Sequence, residues 1–144
     1  MMTNEAPVHG VETGTIYVLR SQSNHPYFAQ HRDLIHKIGV TGGEVSLRVS
    51  NAKADPTFLF ADVDIVATYK LININRAKLE ALLHRFFAAA RLDVEIPDRF
   101  GRTVKPREWF LVPLHVIDEV VARIKDQSIT LYVYSPEKAA LSRL

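Results

Sequence analysis

The stretch LIHKIGVTGG, residues 34–43, joins a run of β-forming residues to two closing glycines and has one lysine in its middle. Leucine, isoleucine and valine suit a strand, and glycine suits the turn that ends it. Residues 34–41 therefore predict a strand. A lysine in such a strand usually lies on the solvent side of a sheet edge, so Lys37 by itself does not indicate a function.

The neighbouring segments predict the partners of this strand. GTIYVLRS, residues 14–21, is a second run of β-formers, and residues 22–33 between the two strands predict a long exposed loop. A third strand is predicted at 62–71, where apolar residues alternate on one face. These alternating residues are Val63, Ile65, Ala67, Tyr69 and Leu71.

Helices are predicted after the second and third strands and near the C-terminus. Residues 44–53 predict a short helix, 75–92 a long one and 114–126 another. Asn75 is placed to cap the long helix. The apolar stripe of that helix comprises Leu79, Leu82, Leu83, Phe86 and Ala90. Residues 107–112, REWFLV, predict a short strand-like segment, and 131–135 predict an edge strand.

These elements predict an α/β fold of the α+β type, with a small three-stranded antiparallel sheet flanked by helices. The chain has 144 residues, which suits one core. We expect a flexible N-terminal tail at 1–13, a folded domain at 14–126 and a strand-like C-terminal extension and tail at 127–144.

Composition excludes several classes of protein. The chain has no cysteine, which excludes disulfides, thiolate zinc sites and cysteine nucleophiles. A net charge of +2 permits a nucleic-acid partner without requiring one. No apolar run reaches the roughly 20 residues of a membrane span, and the start does not have the pattern of a secretory signal. We therefore expect a cytoplasmic protein with no membrane association.

Other common sites find little support in the sequence. The glycines at 39, 42 and 43 fit neither a P-loop nor a dinucleotide-binding turn. The six histidines lack paired zinc-ligand spacing, and no serine has an assignable histidine–carboxylate relay. His36 is predicted to face away from Lys37 because neighbouring strand residues point to opposite sides. Trp109 and Phe110 are predicted core anchors, with a base-stacking platform as the alternative.

Several short motifs occur in one order along the chain. They are TIY at 15–17, KIG at 37–39, Arg48 on the next predicted helix, Glu80 on the long helix and EWF at 108–110. In this order they resemble the GIY-YIG nuclease superfamily, and within it the branch with KIG in place of YIG and a downstream EWF motif. The resemblance runs from about Gly14 to about Lys125. It departs from the family pattern at TIY, and the asparagine that closes many family sites has no match.

The resemblance implies a metal-dependent DNA endonuclease or nickase that hydrolyses phosphodiester bonds. Its catalytic residues would be Tyr17, Lys37, Arg48, Glu80 and His84, with Tyr17 as general base and Glu80 as the ligand of one Mg²⁺ or Mn²⁺. The side chains of these residues have the chemistry that phosphodiester hydrolysis requires. An ammonium beside a phenol favours the phenolate, arginine grips phosphate oxygens, and a carboxylate suits a hard cation. Glu80 and His84 also have a simpler alternative as neighbouring surface groups on one helix.

DNA is the expected partner. Four further cations near the motifs, together with Lys37 and Arg48, are predicted to hold the phosphate backbone, so affinity should fall as salt rises. These four are Arg20, Arg32, Lys53 and Arg85. Because the chain has no recognisable motif for reading base sequence, a separate DNA-recognition or effector protein is the second expected partner. The alternative function is a noncatalytic nucleic-acid-binding or assembly domain with the same fold.

Overall fold

A computed structural model describes residues 12–98 and 100–144. Eight strands lie in this part of the chain: β1 (Glu12–Ser21), β2 (Ile35–Thr41), β3 (Val63–Ile74), β4 (Ile96–Pro97), β5 (Thr103–Val104), β6 (Trp109–Leu111), β7 (Tyr132–Ser135) and β8 (Ala140–Arg143). The α-helices are α1 (Pro26–His31), α2 (Val45–Arg48), α3 (Arg76–Phe86) and α4 (Leu114–Lys125). Short 3₁₀ helices lie at Ala52–Ala54, Pro56–Phe58, Ala88–Ala90 and Ser128–Leu131.

The main sheet is antiparallel and has four strands in the order β3-β1-β2-β6. The predicted mixed α/β class and the three predicted strands are confirmed, but a sheet of only three strands is wrong. β6 adds the fourth by pairing Ile35 with Leu111 and Lys37 with Trp109. The sequence did not predict this pairing because a three-residue strand has almost no periodic signal and its partner strand lies far away along the sequence.

The structure agrees with the predicted N-terminal and C-terminal segments only in part. Residues 1–11 of the predicted tail lie outside the described residues, and 12–13 begin β1. The predicted edge strand at 131–135 is β7, which pairs with β8 in a separate hairpin rather than with the main sheet. The sequence prediction missed β8 because residues 136–144 were expected to be a tail.

Apolar residues cover both faces of the main sheet. On one face, Ile16, Val18 and Ile38 pack with α3 and α4 in the largest core cluster. On the other face, Tyr17 and Leu19 pack with Ala52 and Phe58 from the short helices after β2. A residue of β1 or β2 therefore belongs to one layer or the other according to its position in the alternation.

The alternation predicted for the third strand holds over only part of its length. The register of β1 with β3 shifts at Val18, which pairs with Ala67, while Leu19 pairs with Ile65. Val66 is the extra residue of this bulge, so the alternation changes face there. Ile65 is consequently 43% exposed rather than buried with Leu71.

The long helix confirms its predicted start and buried stripe. The Asn75 side chain accepts a hydrogen bond from the Lys78 amide at 3.0 Å, which caps α3 as predicted. Leu79 and Leu83 are buried in the core cluster, and Leu82, Phe86 and Ala90 also pack in it. The helix ends at Phe86, earlier than expected, and a 3₁₀ turn follows it.

The segment predicted as an exposed loop at 22–33 contains α1. His25 caps the helix by accepting from the Tyr27 amide at 3.2 Å, and Pro26 occupies the first turn. Phe28 is buried, with its ring edge against Trp109 at a centroid distance of 5.8 Å. A six-residue helix with one buried side chain has no detectable period, which explains why the sequence did not predict it.

His36 is buried on the face of β2 opposite Lys37, as predicted. Its Nδ1 lies 2.7 Å from the Val112 carbonyl oxygen, and its Nε2 accepts from Arg20 Nε at 3.2 Å. Burial lowers the pKa of His36 from 6.5 to about 4, with Arg20 contributing in the same direction. The hydrogen bond to Val112 and the charge of Asp33 oppose that decrease in the pKa.

We expect the free energy of unfolding to decrease as the pH falls from about 6.5 to about 4. The unfolded chain takes up a proton on this histidine near pH 6.5, whereas the folded chain does so only near pH 4. The contribution of His36 is therefore fully present above 6.5 and is lost through this window, by on the order of 3 kcal/mol. Urea denaturation at several pH values measures it. His36→Gln should flatten the pH dependence over this window, and an unchanged dependence would contradict the assignment.

Candidate active site

Lys37 is the centre of a buried polar group on the second face of the sheet. Its side chain is 0% exposed, and Nζ donates to the Tyr17 hydroxyl at 3.3 Å and to Glu108 Oε1 at 2.8 Å. Tyr17 is 1% exposed. The predicted contact between Tyr17 and Lys37 is thus present. The third member, Glu108, supplies the carboxylate that a buried ammonium needs as a partner.

Gly39 makes room for the Tyr17 ring. Tyr17 pairs with Gly39 across β1 and β2, and a Cβ built on Gly39 would lie 2.4 Å from the Tyr17 hydroxyl oxygen. Any side chain at this position would displace the phenol. The glycine of the KIG motif therefore has a steric role, which is to let the tyrosine lie across the strand beside Lys37.

Arg48 approaches this group through Phe58. The Arg48 guanidinium carbon lies 4.9 Å from the centroid of the Phe58 ring, and Lys37 Nζ lies 5.2 Å from the same centroid. Arg48 also pairs with Asp55 at 3.7 Å, and its side chain is 38% exposed. The predicted cation is therefore close to Lys37 but is separated from it by one aromatic ring.

Glu80 and His84 form hydrogen bonds with the backbone of β2 beyond the part that pairs with β6. Glu80 Oε2 accepts from the Val40 amide at 2.9 Å, and His84 Nε2 lies 2.7 Å from the Ile38 carbonyl oxygen. β6 pairs with β2 only from Ile35 to Lys37, so these two side chains supply the hydrogen-bond partners that a strand would otherwise provide. They are therefore more than neighbouring surface groups.

Four of the five predicted catalytic residues thus lie in or contact residues 37–40 of β2, with Tyr17 and Lys37 on one face of the sheet and Glu80 and His84 on a helix that packs against the other. Tyr17 crosses the strand at Gly39, and Glu80 and His84 contact it from the edge. Arg48 lies in the outer layer, by which we mean the segment 45–58 that covers Tyr17 and Lys37. The hydroxyl and ammonium that would do the chemistry are covered, whereas Arg48 reaches solvent.

The four predicted DNA-binding cations lie in different places. Arg20 bonds His36 on the opposite face, and Arg32 donates to the carbonyl oxygens of Ser21 and Ser23. These contacts place neither guanidinium beside Lys37. Lys53 is exposed and pairs with Asp62 at 3.3 Å. Arg85 is exposed on α3.

A family model described as the T5orf172 domain matches residues 14–125. The chain belongs to the T5orf172 domain family. The resemblance to the GIY-YIG superfamily was therefore wrong, because the matching family is a different one and no comparison returned a GIY-YIG protein. The ordered tripeptides that suggested it are short and made of common residues. The T5orf172 family is associated with nuclease-like, DNA-binding domains.

The chain also resembles one curated protein over most of its length. It is 42% identical over 118 residues to the uncharacterized protein YeeC of Bacillus subtilis (strain 168), covering 79% of this chain and 31% of YeeC. The chain thus spans about a third of that relative. No solved structure gives a significant match. Among residues 12–98 and 100–144, every helix falls short of the length and apolar character that a bilayer crossing requires.

Among its described residues, the T5orf172 domain has no cage of protein ligands for a metal ion. In its described residues, no three histidine, aspartate or glutamate side chains cluster as metal ligands. Glu80 uses Oε2 for the Val40 amide, and its second oxygen has no hydrogen bond to another described residue. One carboxylate oxygen fits a cation such as Mg²⁺ only where waters and a substrate phosphate complete the coordination.

Glu108 and Phe58 are the members of the site that sequence reasoning missed. The order of the motifs includes EWF but assigns Glu108 no role. The available signal is that a lysine in a buried strand requires a counter-ion and that this segment returns to the same sheet. Trp109, the next residue, is a core anchor as predicted: it is fully buried and donates to the Thr57 carbonyl oxygen at 3.0 Å. Phe58 is the last residue of the 3₁₀ helix Pro56–Phe58 and has no sequence signal.

Proposed function

We propose that this T5orf172 domain is a metal-dependent endonuclease that hydrolyses DNA phosphodiester bonds at the group formed by Tyr17, Lys37 and Glu108. One observation carries the proposal, namely that a fully buried ammonium contacts a phenol and a carboxylate at once. Burying an ammonium is costly, and a purely structural position in a strand is served by an apolar side chain. The nuclease-like association of the family supports the same activity.

Tyr17 is the general base in this proposal. The ammonium of Lys37 lies 3.3 Å from the Tyr17 hydroxyl oxygen, and this oxygen, after releasing its own proton to solvent, takes a proton from the attacking water. The water oxygen bonds to phosphorus, the bond to the leaving oxygen breaks, and solvent protonates that oxygen. Lys37 and Arg48 neutralise charge that develops on the phosphate.

Substrate reaches the tyrosine only when the outer layer moves. Tyr17 packs with Ala52 and Phe58, and Arg48 lies over the Phe58 ring. The ion pair that holds Arg48 to Asp55 is long and partly exposed, so exchanging Asp55 for a DNA phosphate costs little. The proposed mechanism therefore includes a displacement of the segment that carries Arg48 and Phe58.

Glu80 is the proposed ligand of Mg²⁺ or Mn²⁺, through the carboxylate oxygen that Val40 does not use. When bound there, the cation supplies charge neutralisation to the phosphate. Glu80 itself does two things: it holds the edge of β2 and it presents negative charge beside Gly39. His84 positions the same edge through Ile38. A separate DNA-recognition or effector protein remains part of the proposal because no base-reading motif is recognisable in the sequence.

A second candidate function is a noncatalytic DNA-binding domain. The burial of Tyr17 and Lys37 favours it, since both then act only as the polar interior of the fold. The structural hydrogen bonds of Glu80 and His84 to β2 are compatible with this function as well. The two functions differ in whether the Tyr17 hydroxyl is required.

We expect the protein to convert supercoiled plasmid to nicked circles when Mg²⁺ or Mn²⁺ is present and to stop when EDTA is added. Tyr17→Phe keeps the ring over Gly39 but removes the base, so nicking should fall by on the order of a hundredfold or more. Gel electrophoresis follows the product, and fluorescence anisotropy follows DNA binding. Salt-sensitive binding with no nicking would favour the noncatalytic domain, and absence of binding would contradict both functions.

A further inference from the structure

A cavity of about 400 Å³ lies beside the buried lysine, on the side of Glu108. Pro56, Thr57 and residues 103–108 line it. The Glu108 side chain is 35% exposed and holds Lys37 Nζ at 2.8 Å, so it connects the cavity to the site. The volume lies at the lower end of the range for ligand pockets, about 300–1,000 Å³.

Two cations form part of the cavity wall. Lys105 and Arg107 are exposed, and neither side chain forms an ion pair with a described residue. In contrast, Arg48 and Lys53, on the neighbouring segment, are paired with Asp55 and Asp62. The two cations of the cavity are therefore available to an anion at no cost in existing ion pairs.

The acidic member of the cavity does not oppose an anion there. Glu108 uses Oε1 for Lys37, whose ammonium balances its charge. The backbone around it is well fixed because Trp109, the next residue, is buried and bonded to Thr57 on the opposite cavity wall. The two walls are thus joined directly behind the cavity, next to the proposed catalytic lysine.

We propose that this cavity binds the DNA backbone next to the phosphate that is cleaved, with Lys105 and Arg107 contacting phosphates. The proposal rests on the nuclease function proposed above and adds the path of the strand, which runs past Glu108 to Lys37. In this proposal, Lys105 and Arg107 provide the positive charge that contacts DNA. Arg20 and Arg32 do not provide it, because they form hydrogen bonds with other parts of the protein.

The absence of cysteine from the sequence permits a direct test. Thr103→Cys puts a single thiol on the cavity wall, and Thr130→Cys puts one on an exposed 3₁₀ turn outside it. The rate of maleimide modification is measured for each, with and without a DNA duplex, in EDTA to prevent cleavage. We expect DNA to slow modification at Thr103→Cys by on the order of tenfold and to leave Thr130→Cys unchanged.

A second measurement tests the two cations. Lys105→Gln/Arg107→Gln should lower the slope of log affinity against log salt by about 2, at roughly 0.9 for each phosphate that the protein no longer neutralises. Lys125→Gln/Lys138→Gln removes the same charge from exposed positions outside the cavity and should leave the slope unchanged.

The outcomes separate this proposal from the nuclease function. Equal effects of the two double substitutions, or equal modification rates at Thr103→Cys with and without DNA, in a protein that binds and nicks DNA, would overturn the cavity as the strand path and leave the nuclease function intact. A parent protein that does not bind DNA in the same assay would contradict the proposed function itself.

Discussion

Lys37→Met should slow DNA nicking by on the order of a hundredfold or more while the sheet stays folded. Methionine fills a similar volume in the strand but carries no charge. The substitution removes the hydrogen bonds of Lys37 Nζ to the Tyr17 hydroxyl and to Glu108 together. The Tyr17 hydroxyl oxygen then has no ammonium beside it. Nicking rates on plasmid measure the effect, and circular dichroism reports the fold.

Stability and catalysis can be separated in this variant. Glu108 loses its partner, but its side chain is 35% exposed and water can solvate it. A matched substitution, Lys138→Met, removes an exposed lysine from the C-terminal hairpin and should nick at the parent rate. If Lys37→Met also nicks at the parent rate while the variant at Glu80 described next is inactive, Lys37 is not catalytic even though the protein is a nuclease.

Glu80→Gln should abolish metal-supported nicking and leave the fold intact. The amide oxygen of glutamine can accept the Val40 amide hydrogen bond as Oε2 of Glu80 does, at 2.9 Å, so the edge of β2 keeps its partner. The negative charge that would hold Mg²⁺ or Mn²⁺ is lost. The loss in rate should be on the order of a hundredfold or more, measured over a series of metal concentrations.

Glu80→Ala is the comparison that identifies the cause. It removes the charge and also leaves the Val40 amide without its acceptor, which costs about 1–3 kcal/mol in the free energy of unfolding. We therefore expect both variants to be inactive but only Glu80→Ala to be clearly less stable in urea. Parent-like nicking by Glu80→Gln in Mg²⁺ would show that the metal, if required, is not held at this carboxylate.

Periodic elements were predictable from the sequence. α3 and α4 follow from apolar residues spaced at a helical period, and β1, β2 and β3 from runs of β-formers. What was missed is short or depends on distant partners. α1 buries one side chain, Phe28, and β6 was predicted as a strand-like segment but not as part of the main sheet, because its partners on β2 lie more than 70 positions away. The bulge at Val66 depends on pairing with β1 and has no local signal.

The site was predictable to the extent that strand alternation and helix spacing determine it. The contact of Tyr17 with Lys37 follows from two strands in a hairpin arrangement, and the meeting of Glu80 and His84 with one strand follows from their spacing on α3. Glu108 reaches Lys37 from 71 positions away, and the need of a buried lysine for a counter-ion is the signal that indicates such a partner without identifying which carboxylate it is. The family prediction was wrong because it depended on the order of short motifs, and motif order alone does not separate one family from another.

The bonds of Glu80 and His84 to β2 have an evolutionary consequence. They occupy a stretch of strand edge that would otherwise be able to recruit a strand from another molecule, which is a common route to aggregation. Selection against aggregation would therefore retain an acceptor and a donor at these two positions whether or not the domain cuts DNA. The presence of these two residues in a related domain would therefore not by itself indicate nuclease activity.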